Sequence, residues 1–215
     1  MQKLTRDDLY SLEQYSEARD AFRDKVLQHK SNRRLALGTN AALYFEDRMT
    51  MQYQIQEMLR IERIVEADGI NGERAVYNPL IPDGSNWKAT FMVEFPDEEE
   101  RRAMLTQLVG IENLVFMQVG ELDKCYAIAD EDLERADETK TSAVHFLRFE
   151  LPAGQVAAPK GGPALSAGID HEISEVTTPH VSEPLRPPLI RDRDCAHITA
   201  DLAPFHTSHT RSDLV

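Results

Sequence analysis

Between Trp87 and Phe95 the chain alternates strictly. Trp87, Ala89, Phe91, Val93 and Phe95 hold the odd positions, and Lys88, Thr90, Met92 and Glu94 stand between them. A period of two predicts a β-strand with one buried face. The same period runs from Ala143 to Leu151, where Ala143, His145, Leu147 and Phe149 share a face. Short apolar runs at 35–38 and 41–45 flank the turn residues Gly38, Thr39 and Asn40, and read as two further strands. Val115 to Val119 and Lys124 to Ala129 suggest a hairpin over Gly120 to Asp123, and Ala164 to Ile169 a last strand.

Elsewhere the period is helical. Thr5 precedes two acidic residues, and Leu4 is placed to staple onto Leu9. Ser11 with Gln14 three residues on forms a capping box, and Tyr15, Ala18, Phe22 and Val26 carry a helix to about Lys30. Met51, Ile55, Met58, Ile61 and Val65 mark a long helix over about Thr50 to Glu66. Asp97 and three glutamates open another helix, which Gly110 ends. Residues 68–86 contain Asn78-Pro79 and Pro82-Asp83-Gly84 and read as a long loop. No βαβ alternation is present. The pattern therefore predicts an α+β fold, with a mainly antiparallel sheet covered by helices on one face.

After His171 the periodicity fades. Five of the eleven prolines and four of the seven histidines fall in 172–215. This organisation reads as one domain over residues 1–171 and a disordered tail over 172–215.

Hydrophobic residues make up 41% of the 215, enough for one core. The net charge of −13 opposes binding to nucleic acid and to anionic membranes. The N-terminus has no apolar segment of the secretory kind, and no run is long enough to span a bilayer. Cys125 and Cys195 form no CxxC pair, so this chain alone supplies no cysteine cage for zinc or an iron–sulfur cluster. These features together point to the cytoplasm.

No phosphate-binding loop, dinucleotide fingerprint, zinc-protease motif or serine elbow occurs. Candidate chemistry rests on isolated side chains. His145 lies on an apolar strand face and needs a polar partner, as a core histidine or as a ligand. Asp170-His171 ends a strand, as a surface turn or the lip of a cleft. Glu46, Asp47, Arg48, Gln54, Glu57 and Arg60 form a polar stretch that is either a solvated face or a pocket lining. Tyr77 and Asn78 open a proline-stiffened loop suited to a binding lip or a plain crossover. Cys125 reads as a small buried hydrophobe. The sharpest expectation is that Glu57 and His145 converge across a helix–sheet interface, with Arg60 and His171 nearby. Glu57, His145 and His171 would then be candidate metal ligands.

Several stretches resemble a known family as a set. They are Leu4 to Leu9, Phe45 to Arg48, Tyr53 to Ile64, Tyr77 to Gly84 and Ser142 to Phe149. They are similar to an uncharacterised bacterial domain of unknown function, whose genes neighbour those of rubrerythrin and a heterodisulfide-reductase-like iron–sulfur protein. The resemblance covers residues 3 to about 171, and Gln54-Ile55-Gln56-Glu57-Met58-Leu59-Arg60 labels it best. Pro159, Gly161, Gly162 and Pro163 depart from it where a helix is expected. The resemblance implies an accessory of a redox or peroxide-defence system, with a rubrerythrin-type or iron–sulfur partner. It assigns no cofactor and no catalytic residue. The alternatives are a small-molecule or metal-dependent enzyme with a pocket around Glu57, Arg60 and His145, or a structural scaffolding module.

Overall fold

The computed structural model describes residues 2–156 and 164–193. Its strands are β1 (Arg34–Ala36), β2 (Ala41–Phe45), β3 (Asn86–Val93), β4 (Val115–Val119), β5 (Cys125–Tyr126), β6 (Ile128–Ala129), β7 (Val144–Glu150), β8 (Leu165–His171) and β9 (Ser174–Thr178). Its helices are α1 (Leu12–Ser31), α2 (Arg48–Glu62), α3 (Ala67–Tyr77), α4 (Glu98–Gln107), α5 (Ala153–Val156) and α6 (Arg186–Asp192). The α+β architecture expected from the pattern is the one found. Every strand pairing is antiparallel, but the strands divide between two sheets. One has the order β1-β2-β3-β7-β6, the other β5-β4-β8-β9.

The alternation in β3 and β7 works as expected. Trp87 and Phe91 are fully buried beside Leu147 and Phe149. Leu43 pairs with Phe91, and Phe91 with His145, in register. Val115, Met117, Val119, Leu165, Ala167 and Ile169 from the second sheet complete the same core. A second apolar cluster joins Leu4 and Leu9 to Met51, Ile55 and Leu59 of α2, Ile70 of α3, and Ile81. Helices α2 and α3 thus share a small core of their own with the N-terminal segment.

Caps set the helix boundaries. Ser11 Oγ accepts from the Gln14 amide at 3.2 Å, and Gln14 Oε1 accepts from the Ser11 amide at 3.0 Å. Asp47, rather than Thr50, opens α2. Its Oδ1 accepts from the Met49 and Thr50 amides, each at 3.0 Å. Arg63 in the left-handed region (φ 56°) ends that helix.

Three expectations are corrected. The loop expected over 68–86 contains α3, which forms despite Gly69 and Gly72 because Ile70 packs into the helical core. The second strand of the hairpin after Gly120 divides. Its first part, β5, pairs with β4, and its second, β6, pairs with β7 in the other sheet.

The domain also continues past His171. Strand β9 pairs with β8, and α6 places Leu189 in the main core. Pro187 and Pro188 fall in the first turn of α6, where a missing amide hydrogen costs little. Residues 194–215, with His197, His206 and His209, and the Pro159–Pro163 segment lie outside the described residues.

Candidate functional site

The polar residues predicted as one site are distributed over several centres. Glu46 and Asp47 lie where β2 turns into α2, against the end of α1. Asp47 Oδ2 lies 2.5 Å from His29 Nε2 and 3.3 Å from Arg33 Nη1. The buried Arg33 donates Nε to the Phe45 carbonyl at 2.9 Å and Nη2 to the Glu46 carbonyl at 3.1 Å. It also pairs with Asp192 of α6. Burial alone would raise the Asp47 carboxyl, but His29 and Arg33 outweigh it and hold it below the usual range. Asp192 is pushed up to about 6, because burial outweighs the attraction of Arg33 and Asp47 adds repulsion. Glu46 Oε1 accepts from Thr90 Oγ1 at 2.7 Å. The cluster pins α1, the start of α2 and α6 to one another.

Glu57 faces α1. Tyr15 and Arg19, one helical turn apart, both reach it. Tyr15 Oη donates at 2.7 Å, and Arg19 donates Nε at 2.8 Å and Nη2 at 3.0 Å. Arg60 adds a bond at 3.1 Å. Arg19 is the main reason the Glu57 carboxyl falls to about 2, with Tyr15 and Arg60 adding to it against partial burial. Arg48 pairs with Asp8 at 2.5 Å, and Gln54 approaches the Tyr77 hydroxyl at 3.5 Å. Asn78 holds the Leu4 backbone from both sides. Its Oδ1 accepts from the Leu4 amide at 2.8 Å, and its Nδ2 donates to the Leu4 carbonyl at 3.0 Å.

His145 keeps different company. Its Nδ1 lies 2.5 Å from Asp130 Oδ2. Its Nε2 lies 2.9 Å from Thr141 Oγ1 and 3.1 Å from the Ser142 carbonyl. Thr141 Oγ1 donates to Glu112 Oε2 at 2.9 Å. Both ring nitrogens thus have polar partners, and the threonine proton goes to Glu112. His145 is fully buried.

The expected convergence of Glu57 and His145 is thus corrected. Their partner sets share no residue: Tyr15 and Arg19 of α1 and Arg60 hold Glu57, while Asp130, Thr141 and the Ser142 carbonyl surround His145. His171, third of the proposed ligands, accepts from the Ile173 amide at 3.3 Å in the β8–β9 turn. Among the described residues no group of three His, Cys, Asp or Glu side chains is arranged to hold a metal ion. Cys125 donates to the Glu150 carbonyl at 3.1 Å, and burial pushes its thiol up to about 11.

Sequence reasoning missed a surface where the chain crosses between the sheets. Tyr126 and Ile128 are 44% and 41% exposed, while Cys125 and Ala127 beside them are buried. Tyr126 Oη donates to Asp170 Oδ2 at 2.5 Å, and Lys124 Nζ meets the same carboxylate at 2.7 Å. Lys124 also stands 4.0 Å above the buried Phe116 ring. Gly168 gives that ring its space: a Cβ there would fall 2.6 Å from Phe116 Cζ. Ile128 lies opposite Arg148, which pairs with Glu131 at 2.8 Å. Two apolar side chains are thereby flanked by ion pairs on either side. The alternation of residues 125–128 was the available signal, but not the change of sheet.

The family model for a protein of unknown function, DUF3501, matches residues 3–193. The chain belongs to the DUF3501 family. The match includes β9 and α6, in agreement with the extended domain boundary. A crystal structure of a protein of unknown function from Burkholderia pseudomallei is similar to this DUF3501 chain. It is 47% identical, with a TM-score of 0.85, and the match covers 90% of this chain and 100% of that one. A comparison with curated proteins finds no match.

Proposed function

We propose that this DUF3501 protein is a cytoplasmic accessory of a redox or peroxide-defence system, and that it docks on a rubrerythrin-type or iron–sulfur protein. The redox context comes from the family resemblance. The observation that carries a docking role is the exposed Tyr126–Ile128 pair. Apolar centres rimmed by polar and charged groups are typical of protein interfaces, and a tyrosine is a favoured anchor. The rim here is Lys124–Asp170 on one side and Arg148–Glu131 on the other. The inward-facing ionisable groups also support a binding role. Glu57, Asp47 and His145 are each engaged by several protein partners, which suits a rigid scaffold.

The test is calorimetry with the full chain. A purified rubrerythrin-type protein and a purified iron–sulfur protein from the same host are titrated separately. Saturable binding of one, weakened in Ile128→Asp, is the expected result. Heat signals no larger than dilution for both would remove the reading.

A further inference from the structure

We infer that the groove between α3 and the N-terminal segment is a binding site for a small oxyanion, the charged end of an organic phosphate or carboxylate. The groove is open to solvent, offers about 390 Å³ and is lined by Lys3, Asn71, Arg74, Ala75, Asn78 and Pro79. That volume suits a small ligand. It lies on the helical part of the fold, apart from the Tyr126–Ile128 surface.

Its two cations, Lys3 and Arg74, are not neutralised by the fold of the described residues. Acidic residues outnumber basic ones by 37 to 24, and several of the cations are neutralised by a carboxylate. Arg19, Arg33, Arg34 and Arg48 each pair with one. Neither Lys3 nor Arg74 forms an ion pair with a carboxylate among the described residues.

Arg74 is nevertheless held in place. Its Nε donates to the Leu4 carbonyl at 3.0 Å, and its Nη1 donates to Asn71 Oδ1 at 2.9 Å. Its Nη2 has no bond among the described residues. A planar guanidinium fixed along one edge with the other edge open is pre-organised for an oxyanion. Asn71 gives its oxygen to Arg74, which leaves its amide nitrogen as a donor at the same lining.

The N-terminal segment is fixed by the same hardware. Leu4 is buried in the helical core, and Asn78 and Arg74 clasp its backbone. Lys3 is thus delivered to the groove by an anchored neighbour. Three kinds of donor — ammonium, guanidinium and amide — line one cavity, and no side-chain carboxylate is among its lining residues. A phosphate or carboxylate oxygen matches that set. Ala75 and Pro79 offer a small apolar wall for the rest of the molecule.

The test uses the isotopically labelled full chain and inorganic phosphate, with ionic strength held constant by chloride. Saturable shifts of the Arg74 Nε–H and Asn71 amide resonances are expected. Lys3→Gln should weaken binding about tenfold, the worth of one charge-assisted contact, with an unchanged melting temperature. Arg74→Lys should also weaken it, because the fork is lost while the charge stays. Shifts reproduced by chloride alone, shifts that never saturate, or an affinity unchanged in Lys3→Gln would each overturn the assignment.

Discussion

The indole Nε1 of Trp87 donates to the Leu189 carbonyl at 2.8 Å, a bond between residues 102 positions apart. It ties the central strand β3 to the C-terminal helix α6, whose Leu189 is fully buried. Removing α6 therefore uncovers the core. We expect a chain ending at residue 180 to lose much of its stability and to show red-shifted tryptophan emission. Leu189→Ala should cost about 2–5 kcal/mol in denaturant unfolding. A truncated chain that melts with the full-length protein would show that α6 does not contribute.

Phe91 tests the sheet assignment. It is fully buried between Leu43 and His145 in register. Phe91→Ala should cost about 3–5 kcal/mol. A cost below about 1 kcal/mol, read from urea unfolding, belongs to an exposed position instead.

Glu57 gives a pH dependence of defined sign. Its carboxyl is depressed to about 2 from an ordinary 4.5, chiefly by Arg19. A depressed folded value contributes stability above the unfolded value and loses it as pH falls through the folded one. Between about pH 4.5 and 2 the protein should lose about 1–2 kcal/mol from this group, allowing for solvent screening. Glu57→Gln should lack that component. Parallel acid-unfolding curves for the two proteins would contradict the pairing.

Asp192 has the opposite sign. Its folded value is raised to about 6 by burial, so its contribution is full below the ordinary 3.8 and declines as pH rises through 6. The stability of Asp192→Asn relative to the parent should therefore rise between pH 4 and pH 6. A flat difference would place Asp192 in a solvated setting, and a falling one would show that Arg33 holds its folded value below the ordinary 3.8.

Much of the fold was legible where one physical signal dominated. The alternation through Phe91 and the capping box at Ser11 are local, and local signals suffice for them. Helix α3 was not legible, because Gly69, Asn71 and Gly72 lower its propensity and only Ile70 shows what it packs against. Strand β9 offers a single apolar residue, Val176, and the prolines of α6 resemble breakers until their place in the first turn is seen. The need of His145 for a polar partner was legible. The partner was not, because Asp130 lies in an acidic stretch and, in a left-handed conformation (φ 50°), meets the ring at Nδ1. Glu57 was read as a candidate ligand or as a surface partner of Arg60. Its real partners, Tyr15 and Arg19, repeat at one helical turn on α1, a spacing that points to a shared target without naming it.

The docking role is tested most directly by hydrogen exchange. The full chain is compared alone and with a saturating rubrerythrin-type or iron–sulfur protein. We expect slower exchange in the segment 124–131 and at 170–173, with little change in α2 or α3. Protection confined to other surfaces, or none with either partner, would contradict docking through Tyr126 and Ile128.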